Sequence, residues 1–133
     1  MKRNLILSFA LVLLLIALNH CDPGRKPNIA FKTGAGYTSS DATVGKQDTL
    51  LVGITASKAE KEDVLKKFNE SVSYDGASST SVYSEDLSGA QGDNYSKDLQ
   101  IITRNQAGSE KYFFTVTNRD GIIGQVSLTL TVN

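Results

Sequence analysis

The chain has 133 residues, and its 14 basic and 14 acidic side chains cancel to a formal net charge of zero. Because the sequence carries no large basic field, its composition argues against a nucleic-acid partner. A single cysteine, Cys21, cannot form an internal disulfide, and a chain of this length can bury the core of one domain without one.

The N-terminal residues predict a targeting segment. Lys2 and Arg3 precede an apolar run over residues 5–18, which is shorter than the about 20 residues that a membrane-spanning helix needs. The pattern indicates a signal peptide over residues 1–20 rather than a permanent transmembrane helix. Removing it takes away Lys2 and Arg3, so 12 of the 14 basic side chains remain against 14 acidic ones, a net charge of −2.

The end of this segment resembles the lipobox of bacterial lipoproteins. Leu18, Asn19 and His20 precede Cys21, whose thiol would become the thioether that carries a diacylglyceryl group. The sequence departs from the usual pattern at Asn19 and His20, where small residues are expected. An ordinary secreted protein is the alternative, but Leu18 and His20 do not form the small-x-small site of the general signal peptidase. The resemblance implies lipidation of Cys21 with two or more acyl chains, which is enough for stable membrane attachment.

Cleavage before Cys21 would also limit the chemistry of the mature chain. It would remove His20, the single histidine, so a Ser-His-Asp or Cys-His nucleophile could not be assembled within the chain. The usual zinc ligands, which are drawn from Cys and His, would be missing as well. We therefore expect a protein that is not an enzyme and that holds no resident cofactor. Calcium is the remaining metal candidate.

The first half of the mature chain predicts a tether and three strands. Residues 21–27 form the expected tether, because Pro23, Gly24 and Pro27 discourage regular structure. Alternation of apolar side chains then predicts strands over residues 28–33, 47–56 and about 65–74, with a charged loop at 57–63. A helical turn just before the third of these strands remains an alternative, since Val64, Leu65 and Phe68 also fit helical spacing.

The second half predicts an edge strand at 79–85, a polar loop at 86–97, a strand at 98–104 and a hairpin over 111–118 and 125–133. The hairpin is the clearest element, because both arms alternate around the turn signal Asp120-Gly121. About seven strands without a competing amphipathic helix predict an all-β protein, a single two-sheet sandwich spanning residues 28–133.

A family resemblance supports this fold. Residues 112–121, followed by alternating Val126, Leu128, Leu130 and Val132, resemble the last two strands of immunoglobulin-like modules of the PKD and cadherin-like kind. Together with the lipobox, the whole chain resembles small lipoproteins of Bacteroidota, most clearly in TSVYSEDLSGAQGDNYSKD and QAGSEKYFFTVTNRDG. The resemblance implies an immunoglobulin-like sandwich and no settled activity. Tyr112 is then either a tyrosine-corner residue with its hydroxyl on a backbone group, or a plain core tyrosine.

The same resemblance bears on location. Some Bacteroidota lipoproteins carry an acidic run after the cysteine that directs export to the cell surface. Here Asp22 is acidic whereas Arg25 and Lys26 are basic. We therefore expect a lipid anchor in the outer membrane, on the periplasmic face rather than at the surface.

Two groups of side chains are candidates for ligand binding. Tyr37, Tyr83 and Tyr95 fall in polar loops or near an edge, where an exposed ring could stack on a pyranose or simply cover a loop. Calcium prefers oxygen ligands, which are supplied in one loop by Asp86, Asp93, Asn94 and Asp98 and in another by Asn118 and Asp120. Their spacing matches no EF-hand, and loop acids are usually just solvated.

The sequence as a whole predicts an envelope-anchored, non-enzymatic binding or interaction module. Its loops or an exposed sheet edge would contact a glycan or a protein ligand. A structural accessory subunit of an envelope complex, with no ligand of its own, is the alternative. A small hydrolase ranks third because histidine would be missing from the mature chain.

Overall fold

The structure is a computed structural model that describes residues 24–133. The predicted signal peptide, Cys21 and the first residues of the predicted tether lie outside the described residues. The described part is all-β, with a short 3-10 helix at Gly89–Gly92, and contains no helix long and apolar enough to cross a membrane. Its strands are β1 (Asn28–Phe31), β2 (Ala42–Val44), β3 (Thr49–Ser57), β4 (Leu65–Tyr74), β5 (Thr80–Asp86), β6 (Asn94–Ile102), β7 (Gly108–Asn118) and β8 (Ile123–Val132).

The strands form two sheets with an immunoglobulin-like arrangement. One sheet has the order β1-β3-β6, and the other has the order β2-β8-β7-β4-β5. In the lettering of immunoglobulin domains these are strands A, B and E in one sheet and G, F, C and C′ in the other. The first strand is divided between both sheets, because β1 pairs antiparallel with β3 whereas β2 pairs parallel with β8. The predicted fold class, a single two-sheet immunoglobulin-like sandwich, is confirmed.

Alternating apolar side chains fill the space between the sheets. In β3, Val52 and Ile54 face inward, and in β7, Phe114 and Val116 do the same; all four are fully buried. Successive side chains of a strand point to opposite faces, so the period of two in the sequence becomes one apolar face per sheet.

Aromatic pairs join the two sheets at the centre of the sandwich. Phe31 on β1 meets Phe114 on β7 edge to face, with ring centroids 5.7 Å apart. Phe68 on β4 lies 5.1 Å from Tyr95 on β6. Immunoglobulin domains of antibodies place a disulfide and a tryptophan here. This chain has one cysteine and no tryptophan, so aromatic contacts take their place.

Most predicted strands are found, with two differences. The stretch 65–74 is a strand throughout, and β5 is an edge strand that pairs with β4. The predicted polar loop 86–97 is wrong at its end, because β6 begins at Asn94 and pairs with β3 over nine residues. The short strand β2 was not predicted, since its pairing with β8 is distant in sequence and only three residues long.

Residues 24–27, part of the predicted tether, are packed against the sandwich rather than free. The Arg25 backbone N–H donates to Asp63 Oδ2 at 3.0 Å, and Asn118 Nδ2 donates to the Arg25 carbonyl at 3.2 Å. Pro27 is buried, and its carbonyl lies close to Gly124, where a Cβ would approach within 2.5 Å. The missing side chain of Gly124 therefore allows this segment to lie directly on β8.

A buried carboxylate organises the opposite end of the sandwich. Glu110 occupies an inward position of β7 and is fully buried. Its Oε1 accepts from the Arg104 backbone N–H at 2.9 Å and from Arg104 Nε at 3.0 Å, and its Oε2 accepts from the Tyr112 hydroxyl at 2.8 Å. Tyr112 therefore contacts a carboxylate, and not the backbone group that a tyrosine corner uses.

Asp75 extends this cluster to the turn after β4. Arg104 donates from both terminal nitrogens to Asp75 Oδ2 at 3.1 Å, and its guanidinium lies 4.2 Å from the centre of the Tyr74 ring. The hydrogen bond from the Ser109 backbone N–H lowers the pKa of the Asp75 carboxyl most, and the hydrogen bond from Arg104 lowers it further. The loop between β6 and β7 is thus tied to the turn between β4 and β5.

Candidate functional site

An open groove lies on the outward face of the three-stranded sheet. Its volume is about 450 Å³, which falls within the usual range of about 300 to 1,000 Å³ for small-molecule sites. The strand register places the outward side chains of the groove in two rows across the sheet. One row is Asn28, Ser57 and Asn94, and the other is Ala30, Thr55 and Ser96. The residues between these rows point their side chains toward the core.

The groove exists because these outward side chains are small. Along β3, buried Ile54 and Ala56 alternate with half-buried or exposed Thr55 and Ser57, so the same alternation that builds the core lines the groove with short polar groups. Hydroxyls and carboxamides can both donate and accept hydrogen bonds. The lining is therefore uncharged, and it combines these polar groups with the apolar surface of Ile29, Ala30 and Ala56.

A cluster of three side chains borders one end of the groove, in the next outward row of the sheet. Lys32 Nζ donates to Asp98 Oδ1 at 2.7 Å, and the Tyr37 hydroxyl donates to Asp98 Oδ2 at 3.1 Å. The hydrogen bond with Lys32 lowers the pKa of the Asp98 carboxyl and raises that of the Lys32 ammonium. Lys32 and Asp98 therefore both stay charged, and together they add no net charge to the groove.

Gly53 on β3 makes room for this cluster. A Cβ at Gly53 would lie 2.6 Å from Lys32 Cδ and 2.7 Å from Tyr37 Cε1, closer than carbon atoms pack. The Tyr37 ring and the Lys32 stem therefore lie directly on the sheet. At the other end of the groove, Lys58 Nζ pairs with Asp93 Oδ1 at 2.5 Å, so both ends carry a neutralised ion pair.

The three tyrosines predicted as sugar-stacking residues have different environments. Tyr37 is half-buried and lies beside the groove. Tyr95 is 3% exposed and faces the core, so the prediction that it lies in a polar loop with a free ring is wrong. Tyr83 is half-buried at the inner face of β5, where its ring contacts Phe68 on one side and Lys97 Nζ approaches within 4.9 Å of its centre.

Tyr83 and Tyr95 instead hold a carboxylate at the open edge of the sandwich. Both hydroxyls donate to Glu85 Oε2 at 2.8 Å, and Lys97 Nζ lies 3.3 Å from the same oxygen. These hydrogen bonds, first from Tyr83 and then from Tyr95, lower the pKa of Glu85 from 4.5 to about 2, and Lys97 adds to the effect. Because Glu85 belongs to β5 while Tyr95 and Lys97 belong to β6, the cluster bridges the two sheets.

The lowered pKa of Glu85 predicts a loss of stability in acid. A carboxyl with a lower pKa in the folded chain stabilises the fold fully above its unfolded pKa and loses that contribution as pH falls through its folded pKa. We therefore expect the wild type to lose more thermal stability than Glu85→Gln between about pH 5 and pH 2. Thermal melts across this range test the prediction. Parallel curves for the two proteins would contradict it.

The acids predicted as calcium ligands are not brought together. Asp93 pairs with Lys58, Asp98 pairs with Lys32, and Asp86 lies at the end of β5. Within residues 24–133, no three His, Cys, Asp or Glu side chains are grouped so that they could hold a metal ion. In the second loop, Asn118 Oδ1 accepts from the backbone N–H groups of Asp120 and Ile122 and so stabilises the turn between β7 and β8.

The residues that line the groove were not predicted from the sequence. Asn28, Ala30 and Thr55 fall in predicted strands, whereas Ser57, Asn94 and Ser96 fall in predicted loops. The groove forms only where β1, β3 and β6 are in register. The one available signal was the recurrence of small polar residues at the outward positions of these strands, as in Thr55 and Ser57.

Comparisons with known proteins agree on the fold. No protein-family model and no curated protein sequence matches the chain. Superoxide reductase (neelaredoxin) from Ignicoccus hospitalis is structurally similar over 82% of this chain and 81% of that one, with a TM-score of 0.54 and 7% identity. A β-glucosidase from Listeria innocua is similar over 81% of this chain but 16% of its own, with a TM-score of 0.52 and 8% identity. Murine CRIg is aligned over 82% of this chain and 99% of its own, with a TM-score of 0.47 and 14% identity.

At such low identities, the likeness to the first two proteins shows a shared sandwich fold and nothing about activity. The immunoglobulin-like assignment rests on the strand order of the two sheets. Folds of this kind host many unrelated functions, so function has to be argued from the site.

Proposed function

We propose that the mature chain is a lipid-anchored, non-enzymatic binding module that takes a neutral saccharide into the outer groove. The observation that carries the proposal is an uncharged groove that offers hydroxyl and carboxamide groups beside apolar surface, with the Tyr37 ring in the next outward row of the sheet. Sugar hydroxyls pair well with groups that both donate and accept hydrogen bonds. A tyrosine ring offers an apolar surface together with a polar tip.

The charges around the groove favour a neutral ligand over an anionic one. Lys32 and Lys58 flank its two ends, and each is paired with an aspartate, Asp98 and Asp93 respectively. An anionic sugar would have to compete with these carboxylates. The groove is also open, so a saccharide would lie across the sheet face with its remainder in solvent.

The proposal includes a lipid on Cys21 and a position at the periplasmic face of the outer membrane. Its support is the charged start, the apolar run and the lipobox-like residues before Cys21. Binding is proposed rather than hydrolysis because residues 24–133 contain neither histidine nor cysteine. Among these residues, Asp98, Asp93 and Glu85 are each held in an ion pair.

A structural accessory subunit is the second candidate, and the edge strand β5 favours it. Within the described part of the chain, β5 pairs with β4 and with no other strand. Its outward Val82 is 55% exposed. A free edge can accept a strand from a partner chain, which would make the protein part of a larger envelope complex.

Saccharide binding by two matched variants tests the proposed function. Ser96→Phe places a ring in the groove, whereas Ser84→Phe makes the same change at an exposed, outward position of the other edge strand. With the lipidated chain in detergent on an array of neutral and anionic oligosaccharides, we expect binding to neutral sugars. Ser96→Phe should weaken it by about tenfold or more, since blocking contacts worth about 1.4 kcal/mol has this effect, and Ser84→Phe should leave it unchanged.

Two outcomes would contradict the proposal. Equal binding by both variants would place the ligand away from the groove. Failure to bind any saccharide, combined with recovery of a stoichiometric protein partner from envelope extracts and its loss in Ser84→Phe, would favour the accessory subunit that uses the β5 edge.

A further inference from the structure

We infer that the domain rests directly on the lipid surface through one end of the sandwich, instead of hanging from the membrane on a flexible linker. This end, the proximal end, consists of residues 24–26, the loop 58–64 and the turn 119–122. The inference rests on the proposed lipidation of Cys21. It identifies which surface of the domain contacts the membrane.

The first step is the docking of the segment that follows the anchor. Both backbone polar groups of Arg25 are bound, its N–H by Asp63 and its carbonyl by Asn118. Asp63 is 4% exposed and Asn118 is 2% exposed, so these part-buried bonds hold the segment on the proximal end. Arg25 Nε also pairs with Glu60 at 2.7 Å.

Gly24 continues this contact toward the anchor. A Cβ at Gly24 would lie 2.7 Å from Asp120 Oδ2 and 3.2 Å from Ile122 Cδ1, so its backbone lies tightly on the turn between β7 and β8. The chain is therefore part of the domain from Gly24 onward. Three residue steps separate Gly24 from Cys21, and the linker available for movement is no longer than this.

The reach of three residues limits the orientation. Fully extended, they span at most about 11 Å, whereas the nine-residue strand β3 carries the domain about 30 Å from one end to the other. The proximal end therefore stays within about 11 Å of the lipid surface, and the far end reaches that surface only if the whole domain lies on its side.

The charges of the proximal end suit such a contact. Arg119 Nε lies 3.5 Å from Asp120 Oδ1, and Arg119 also faces Glu62 at 3.9 Å. The acids of the proximal end are thus offset by nearby cations, and Lys26 and Lys61 add two exposed cations. This end does not present a net negative surface to lipid phosphates. A negative surface within about 10 Å of the phosphates would be repelled by them. The nearer row of the outer groove begins beside it, at Asn28 and Ser57.

Fluorescence quenching by lipid tests the orientation. The lipidated chain, whose Cys21 thiol is occupied, receives one new cysteine for labelling, either Lys61→Cys at the proximal end or Asn105→Cys in the loop between β6 and β7 at the far end. Both positions are exposed. In vesicles of phosphatidylethanolamine and phosphatidylglycerol that contain a headgroup-labelled quencher lipid, we expect the label at 61 to be quenched several-fold more than the label at 105.

A linker insertion provides the control. A Gly/Ser segment of about twelve residues placed between Pro23 and Gly24 has an end-to-end distance of about 20 Å and should bring the two labels to similar quenching. Equal quenching at 61 and 105 in the uninserted chain, with vesicle binding that depends on Cys21, would overturn this inference and leave the proposed anchor intact. If Cys21→Ala binds vesicles and stays in the cell membrane fraction as the wild type does, the proposed anchor and the inference both fail.

Discussion

Replacing Glu110 with alanine is expected to lower the free energy of unfolding by about 3 to 5 kcal/mol. Glu110 is fully buried and accepts three hydrogen bonds, two from Arg104 and one from the Tyr112 hydroxyl. Without the carboxylate, the buried Tyr112 hydroxyl and the part-buried Arg104 donors lose their acceptor. Urea unfolding of the wild type and the variant, followed by circular dichroism, measures the loss.

Tyr112→Phe is the matched control for Glu110→Ala. It removes one of the three donors and leaves Glu110 paired with Arg104, so we expect a loss of about 1 kcal/mol. The order of the two variants matters more than either value. If Glu110→Ala were as stable as Tyr112→Phe, the carboxylate would not be the centre of this cluster.

Two neighbouring phenylalanines should differ sharply in their contribution to stability. Phe114 is fully buried and meets the Phe31 ring at 5.7 Å, so Phe114→Ala should lower the free energy of unfolding by about 3 to 5 kcal/mol. Phe113 faces outward, half-buried beneath Lys111, whose Nζ lies 5.2 Å from the ring centre. Phe113→Ala should cost about 1 kcal/mol or less.

The contrast tests the register of β7 directly. A slip by one residue would exchange the two faces of the strand and place Phe113 in the core. Denaturant titration of both variants under the same conditions measures the difference. A larger loss for Phe113→Ala than for Phe114→Ala would contradict this register of β7.

The hairpin of β7 and β8 could be predicted because its information is local. Tyr112, Phe114 and Val116 alternate with polar or outward residues, and Asp120-Gly121 marks the turn. Gly121 has a φ of 79°, a conformation that glycine adopts without strain. Such elements need no distant partner to be recognised.

Elements that depend on distant partners could not be predicted in the same way. Asn94 and Tyr95 follow a polar, glycine-containing stretch and look like loop residues. They belong to β6 because they pair with Ser57 and Ala56 of β3, far away in sequence. This pairing also turns Tyr95 toward Phe68 and away from solvent, which removes it from the candidate sugar-binding residues.

The candidate site could be predicted only in part, because it also depends on residues that are distant in sequence. Tyr37 was predicted as a ligand-binding residue, and its ring lies in the outward row next to the groove. Tyr95 borders the groove, but its ring faces the core. The Tyr37 neighbours Lys32 and Asp98 are separated by 66 positions in the sequence, so no spacing pattern could have joined them. The groove itself depends on the outward side chains of three strands being small at the same level, which only the register reveals.

The division of the first strand between the two sheets has a mechanical consequence. β2 runs parallel to β8, and the backbone N–H of Asn133 extends the pairing by donating to the Val44 carbonyl at 3.0 Å. Tension applied between Gly24 and Asn133 draws these two strands in opposite directions along their length. Hydrogen bonds of a parallel pair that is pulled in this way bear the load together, and do not open one after another. This strand pair therefore resists stretching between Gly24 and Asn133 in shear.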